Sequence, residues 1–317
     1  SRRIDPLGRE TRLSYAANQI DVLRIEQRSA GGFVPLAAFT YDTRHRPLTL
    51  TDAAGQTTTF TYNAAGQLLS ATDALGQQTQ YEYDALGYLS RIVDANGVTA
   101  ASFTYDGFGR IATRTDSEGH TLGYEYDALD RPTRVSYPDG TATLYGWERL
   151  ELASVTDRLG RVTRYQYDAN RRRVAETDPL GRVTRYGHYP NGTLKTLTDA
   201  NGNVTTWERD LQSRVTARVD AVGQRTAYAY ESATHRLHAR TDALGQVTTY
   251  GYARDDRLTA LDYTQTRNAT PAVRFYYDAE FARLVAMRDG TGTTTFQYQP
   301  VGSPGASGGS VAAPRPI

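Results

Sequence analysis

Aspartate is the residue type best placed to do chemistry in this chain of 317 residues. It heads a D-x-x-G run at Asp5, Asp52, Asp73, Asp84, Asp94, Asp106, Asp116, Asp157, Asp178, Asp199, Asp220, Asp242 and Asp289. Clustered carboxylates can act as acid and base, or hold calcium. Here, however, each Asp stands three residues before a Gly. That is turn chemistry: the carboxylate accepts from backbone N–H groups just ahead of it, and Gly completes a bulged type I turn. The G-G-x-G-x-D pattern of calcium-binding β-rolls is missing. Asp255-Asp256 reads as a solvated turn rather than a metal site. His235 and His238 are three apart, on opposite faces of a strand, and would chelate poorly. His188 stands where the pattern elsewhere has Tyr. Arg171-Arg172-Arg173 has no basic neighbours and reads as a turn leading into a strand. The expectation is no catalytic, cofactor-binding or metal-binding residue, and no cofactor.

The elements that would position these residues repeat. Pairs of the form aromatic-x-Tyr recur at steps of 20 to 22 residues: Phe39/Tyr41, Phe60/Tyr62, Tyr81/Tyr83, Phe103/Tyr105, Tyr124/Tyr126, Tyr145/Trp147 and Tyr165/Tyr167. After the variant pairs Tyr186/His188 and Trp207/Arg209 they continue as Tyr228/Tyr230, Tyr250/Tyr252, Phe275/Tyr277 and Phe296/Tyr298. Leu13/Tyr15 is a degenerate first copy. Each unit predicts two strands and two turns. Gln77 to Tyr83 alternates, with Thr79, Tyr81 and Tyr83 on one face and Gln78, Gln80 and Glu82 on the other. Asp84 to Gly87 then turns the chain into a return strand. The second residue of each pair is a structural rung, and rings on neighbouring strands are expected to stack on each other. The turn glycines are Gly55, Gly76, Gly87, Gly97, Gly109, Gly119, Gly160, Gly181, Gly202, Gly223 and Gly245. Two longer steps contain Ser29 to Pro35 and Thr264 to Ala272, expected to be loops.

Composition narrows the partners. The net charge is +1, from 36 basic and 35 acidic residues, so no field draws the chain to nucleic acid. There is no cysteine, which removes disulfides, thiol nucleophiles and thiolate metal sites. No apolar run is long enough for a membrane-spanning helix. The chain opens Ser-Arg-Arg, with no signal peptide, and reads as a piece of something longer. Three N-x-[ST] matches, at Asn191, Asn203 and Asn268, read as chance. Residues 1–298 form one repeat array. Residues 299–317, rich in Gly, Ser, Ala and Pro, read as a linker or tail.

Short strands every ten or so residues predict an all-β antiparallel meander. One face is aromatic, yet the chain supplies neither helices nor a second apolar sheet to cover it. The remaining solution is a single-layer sheet that curls. Roughly 28 strands at about 4.8 Å give a contour of about 130 Å, or about 40 Å across if closed as one ring. Whether the tyrosine face lines the inside or the outside stays open.

The repeated Tyr-Asp-x-x-Gly-Arg, interleaved with Thr-Asp-x-x-Gly, resembles the YD or RHS repeat. Tyr105 to Gly119 and Tyr167 to Gly181 carry it best, and the resemblance covers about residues 1 to 298. Families with this repeat include bacterial Rhs polymorphic toxins, the B and C components of Tc toxins, and teneurins, which are cysteine-containing and less similar. The resemblance implies part of a hollow β-shell that encapsulates a C-terminal toxin domain. It also implies export from bacteria, with the rest of the shell, the toxin domain and secretion-system components (type VI among them) as partners. The family's self-cleavage core resembles D-P-x-G followed by a Gly- and Asn-containing segment. The D-P-L-G runs at Asp178 and Asp5 lead into ordinary strands instead, so no catalytic residue carries over. Self-association through open sheet edges is a further expectation. The rival reading is a carbohydrate- or cell-surface-binding module with its aromatic face exposed.

Overall fold

The computed structural model describes residues 1–298; the expected tail at 299–317 lies outside the described residues. Twenty-eight strands, β1 (Arg2–Ile4) to β28 (Gly292–Thr295), form one antiparallel sheet, with no helix among the described residues. Each strand pairs with its neighbours in sequence, and β1 does not pair with β28, so the sheet is an open ribbon. The all-β hairpin-repeat class read from the sequence is the class observed.

Turn chemistry builds the meander. At Asp73-Ala74-Leu75-Gly76 the Gly76 N–H donates to the Asp73 carbonyl (3.0 Å) and the Asp73 N–H donates to the Gln77 carbonyl (3.0 Å). The Asp73 carboxylate accepts from the Leu75 and Gln77 N–H groups at 2.9 and 2.8 Å. One side chain thus satisfies two backbone donors that the turn would leave open. Gly76 sits at φ 80°, a left-handed conformation that costs other residues about 1–2 kcal/mol. Where the fourth position is Asp130, Arg171 or Ser213, that residue adopts φ of 60–68° instead.

The hairpins are of two kinds. Those entered through a rung carry a bulge at the rung: in β10 (Thr99–Tyr105) against β11 (Ile111–Asp116), Thr104 pairs with Thr113 but Tyr105 pairs with Ile111. The same slip recurs from Tyr15 to Tyr277. Most of the intervening hairpins pair without a shift, as in Thr113↔Gly123 to Thr115↔Thr121; the exceptions are shifts at Ile25/Glu26 and Thr99/Ala101. A bulge bends its strand and adds twist, so one bulge per repeat on one edge curls the ribbon progressively.

The ribbon is a single layer. Its accessible surface is 20407 Å², against roughly 13,000 Å² for a compact protein of this mass. Among the described residues no large side chain is fully buried, and the most buried apolar residues are small, such as Ala101, Ala175 and Ala217.

The curl brings the ribbon round onto itself. The Arg9 guanidinium donates to Asp255, 246 residues away, at 2.7 Å. Glu280 accepts from Ser29 Oγ and the Ala30 N–H at 2.6 and 2.7 Å, and its carbonyl accepts from Gln27 Nε2 at 3.2 Å. The contact is edge to edge. Turns opposite the rungs at the start of the chain meet rung-side turns after β24 (Val247–Tyr252) and β26 (Val273–Tyr277). One winding, from β2 (Glu10–Tyr15) to β24, has a contour of about 110 Å and is about 35 Å across. The chain therefore forms an overlapping coil, in place of a ring of all its strands.

The two interruptions lie at this overlap. Ser29 to Pro35 is not the loop expected: it lengthens a hairpin, with β3 (Val22–Ser29) and β4 (Gly32–Tyr41) paired to Ser29↔Gly32. The extra residues carry Ser29 and Ala30 far enough to reach Glu280. Thr264 to Ala272 lies mostly between β25 (Leu258–Thr264) and β26.

Gly76→Val tests the turn geometry apart from packing, since a Cβ at Gly76 meets nothing within 4 Å. The substitution is expected to destabilise by about 1–2 kcal/mol through backbone strain alone. Chemical denaturation at matched slope would measure it, and an unchanged midpoint would refute the left-handed assignment.

Candidate functional site

The site is distributed along the rung edge, and it is built from backbone needs upward. At each bulge two residues oppose one, and a carbonyl is available outside the regular ladder. The next rung supplies its donor. The hydroxyls of Tyr62, Tyr83, Tyr105 and Tyr126 donate to the carbonyls of Pro47, Leu68, Leu89 and Ile111 at 2.8–3.0 Å. Trp147 Nε1 donates to Pro132 (2.8 Å) and the Tyr167 hydroxyl to Leu152 (3.1 Å). Tyr230, Tyr252, Tyr277 and Tyr298 do the same to Val215, Leu237, Leu258 and Leu284 at 2.7–2.9 Å. In each case the acceptor is the residue that pairs with the preceding rung, for example Ile111 opposite Tyr105. Each rung therefore ties its own hairpin to the one before.

Two variant rungs show what the position requires. Arg209 keeps the bond, Nε donating to the Leu194 carbonyl at 3.2 Å. His188 ends β18 (Val183–His188) and pairs with Leu194, but makes no such bond to Arg173. Tyr41, at the end of β4, likewise has no hydroxyl partner among the described residues; its ring lies 6.3 Å from Phe39, tilted 30°.

The rungs do not stack on each other as expected. Successive rungs are two strands apart, about 9.6 Å, beyond the 4.5–7 Å of an aromatic pair. The gap is filled by the arginine of Tyr-Asp-x-x-Gly-Arg, a residue that sequence reasoning left without a role. Arg46, Arg110, Arg131, Arg214, Arg236, Arg257 and Arg283 lie 4.2–4.8 Å from the ring centroids of Tyr62, Tyr126, Trp147, Tyr230, Tyr252, Tyr277 and Tyr298. The same guanidinium is held from below by the turn aspartate. Arg110 Nε donates to Asp106 Oδ2 at 2.7 Å, while its Nη1 reaches the Asp127 carbonyl of the next turn at 2.9 Å. Arg46, Arg172 and Arg236 reach forward the same way, to Asn63, Tyr189 and Ala253. The spacing of 16 residues, from Arg46 to Tyr62 or Arg110 to Tyr126 and in five of these seven pairs, was the available signal. Where the turn ends in Tyr88, its ring stacks on Tyr105 at 4.7 Å instead.

The turn glycines Gly55, Gly76, Gly87, Gly97, Gly109, Gly119, Gly160, Gly181, Gly202, Gly223 and Gly245 all take φ between 76° and 87°. They lie on both edges of the ribbon. The Asp-x-x-Gly-Arg turns of the opposite edge do less: Arg161 and Arg182 pair with Asp157 and Asp178 but stay exposed, with no ring above them. Asp256 is exposed, whereas Asp255, expected to be solvated, is buried between Arg9 and Arg257 because the coil's own edge covers it. Arg171 occupies the left-handed turn position and Arg173 opens β17 (Arg173–Thr177), near the rings of Tyr165 and Tyr186. His235 contacts Arg214 (3.1 Å), and no group of three His, Cys, Asp or Glu able to hold a metal lies together among the described residues.

Electrostatics follow the geometry. Hydrogen bonds from Arg46, Arg131 and Arg172 hold the carboxyls of Asp42, Asp127 and Asp168 below the ordinary range. Burial pushes the phenols of Tyr62, Tyr83, Tyr126 and Tyr252 up.

A hairpin array whose repeats are riveted by one aromatic and one arginine defines a β-hairpin repeat protein. The RHS Repeat family profile matches residues 41–74, 62–99, 102–142, 148–183 and 188–225, together more than half of the chain. The chain belongs to the RHS repeat family. It is similar in fold to the TcdB2-TccC3 crystal structure, with TM-score 0.62 and 15% identity over 90% of this chain and 18% of that one. TcdB2-TccC3 without its hypervariable C-terminal region matches at TM-score 0.58 and 15% identity, over 90% of this chain and 16% of that one. The Photorhabdus luminescens Tc holotoxin pore with a mutated TccC3 matches at TM-score 0.51 and 14% identity, over 89% and 20%. This chain thus spans about a fifth of the length of the solved chains it resembles. No curated protein matches it by sequence.

Tyr126→Phe removes one rivet without emptying the site and is expected to cost about 1 kcal/mol. His188→Tyr, which supplies the missing donor, is expected to raise stability by a similar amount. Hydrogen exchange confined to the flanking hairpins would register both, and equal protection in all three proteins would contradict the rivet. The pH response follows from the shifted groups. A carboxyl lowered on folding contributes stability that is complete above its ordinary value and lost as pH falls. A raised phenol contributes stability complete below about 10 and lost as pH rises. The thermal midpoint is expected to hold between about pH 5 and 9 and to drop below about pH 4. A midpoint that rises from pH 5 to 3 would be inconsistent with these shifts.

Proposed function

We propose that this chain is a non-catalytic section of the wall of a toxin-associated shell, one winding of a curled hairpin ribbon that lies around an enclosed polypeptide. The carrying observation is the single-layer coil that overlaps its own edge, with its backbone paired along the ribbon and no second layer among the described residues to fill it. The similar solved structures are toxin complexes, which supports export from bacteria together with a toxin component. The aromatic ladder and turn glycines serve as wall structure: most rung hydroxyls are spent on backbone carbonyls and most of those rings are covered by arginine. That occupancy disfavours the carbohydrate-binding alternative, which needs free rings and hydroxyls.

The reading is tested on the product of the gene that encodes this chain, expressed at full length. Electron cryomicroscopy is expected to show the repeats as a wall around density from the flanking polypeptide. That density should be protected from protease until the wall is unfolded. A flanking domain that is cut as readily as a free one would overturn the wall reading. Binding of the 317-residue chain to immobilised glycans, lost on Tyr81→Ala, would replace it with the rival.

A further inference from the structure

The coil has one place where distant parts of the chain touch. Along the ribbon each hairpin meets only its neighbours, as in any repeat array. Among the described residues, the only side-chain hydrogen bonds between residues more than 30 apart are those from Arg9 to Asp255, and from Gln27, Ser29 and Ala30 to Glu280. The coil's circumference therefore rests on two adjacent contacts between turns. Both pair an opposite-edge turn of the first winding with a rung-side turn of the overlap, and their separations, 246 and 251 residues, are nearly equal.

The first contact departs from the repeat in a telling way. In most rung-side turns the carboxylate at the first position holds the arginine of its own turn, as Asp106 holds Arg110. In the turn after Tyr252 the first position is Ala253, and the carboxylate has moved two residues on, to Asp255. From there Asp255 Oδ2 lies 2.7 Å from both Arg257 Nε and Arg9 Nη2. Its side chain is 9% exposed, and that of Arg9 10%. Arg9 also holds Asp5 at 2.6 Å, so the cluster of two arginines and two aspartates is neutral. It is buried yet incompletely satisfied: Arg9 Nη1, Asp255 Oδ1, and Arg257 Nε and Nη1 have no hydrogen-bond partner, the Nε lying close to Asp255 without the alignment of one. Buried polar groups without partners oppose burial. The joint is held by charge pairing and weakened by the same groups.

The apolar residue beside it marks what the contact covers. Leu7, in the Asp5 turn, is 42% exposed, while its counterparts Leu75 and Leu180 on the same edge are each 78% exposed. A cavity of about 720 Å³ lined by Leu7, Tyr252 and Arg254 remains beside it, so the two edges touch without packing fully.

We propose that Arg9–Asp255–Arg257, together with Glu280 seated on the Ser29–Ala30 hairpin tip, is a releasable clasp. It fixes how tightly the ribbon winds, and the coil opens there while its hairpins stay folded. The lengthened β3–β4 hairpin and the shifted carboxylate are then devices of closure. The proposal concerns the coil itself and stands whether or not the wall encloses cargo.

The chain contains no cysteine, so thiols introduced by Leu7→Cys and Arg254→Cys can carry spin labels across the joint. Double electron–electron resonance is expected to give one short distance in the labelled parent. In an added Asp255→Asn/Glu280→Gln background that peak should be lost to a broad, longer distribution, with unchanged far-ultraviolet circular dichroism. Arg91→Ala, which breaks the Glu82–Arg91 pair far from the joint, should leave the short distance intact. A short distance that survives Asp255→Asn/Glu280→Gln would overturn the clasp. So would cooperative loss of all strand signal in that variant, which would make the joint part of the fold's core, or an equal broadening in Arg91→Ala.

Discussion

The hydrogen bond from one rung to the carbonyl beside the rung before it is the constraint on which the rest depends. A ribbon one layer thick has no core to hold its hairpins at a fixed angle. Backbone pairing alone allows a sheet to flatten, twist or splay at little cost. The bulge at each rung selects a bend, and the next hydroxyl engages the carbonyl at that bulge. Curvature and cohesion are thus the same event, repeated with the period of the sequence. Arginine adds the third component, joining a turn carboxylate, a ring and a forward carbonyl through one flat cation. Its planar, delocalised charge can stack and donate at once, which a lysine ammonium cannot do.

This division of labour explains an asymmetry between the two edges. Both are lined by Asp-x-x-Gly turns with the same internal hydrogen bonds. The rung edge has ring and arginine interlocking from turn to turn along most of its length; on the other edge Arg158 lies over the Tyr137 ring of the preceding turn, but Arg161 and Arg182 remain in solvent. A ribbon riveted along one side resists bending differently on its two sides. The free edge also carries exposed apolar side chains at its turn tips, in Leu75, Leu159, Leu180, Val222 and Leu244. That surface is what a second edge can cover, as the overlap at Leu7 shows.

Much of this was legible in the residues. The spacing of Tyr83, Tyr105 and Tyr126 fixes the repeat, Asp73 with Gly76 fixes the turn, and the alternation of Gln78 to Tyr83 fixes the faces. These are local features, and antiparallel hairpins between sequence neighbours need nothing else. Ring-on-ring stacking was the wrong inference because it treated rungs as adjacent when a return strand separates them. The arginine's role was hidden for the same reason: its target lies 16 residues ahead, across that strand. The overlap was not legible at all. Nothing in Arg9 or Asp255 taken alone says that a ribbon of this curvature brings them together after one winding.

Yet the overlap leaves a trace that can be read backwards. A repeat protein tolerates change where a residue touches only its own unit, so departures from the pattern need a local reason or a distant one. The extra residues in the β3–β4 hairpin and the displacement of aspartate from position 253 to 255 are not required by the repeat. The first adds strand that other hairpins do without, and the second keeps the pairing with the turn arginine, Arg257, while bringing the carboxylate within reach of Arg9. Both make sense against the opposite edge one winding away. In a coil of near-identical units the interruptions carry the long-range information, because the units themselves encode only how each joins the next.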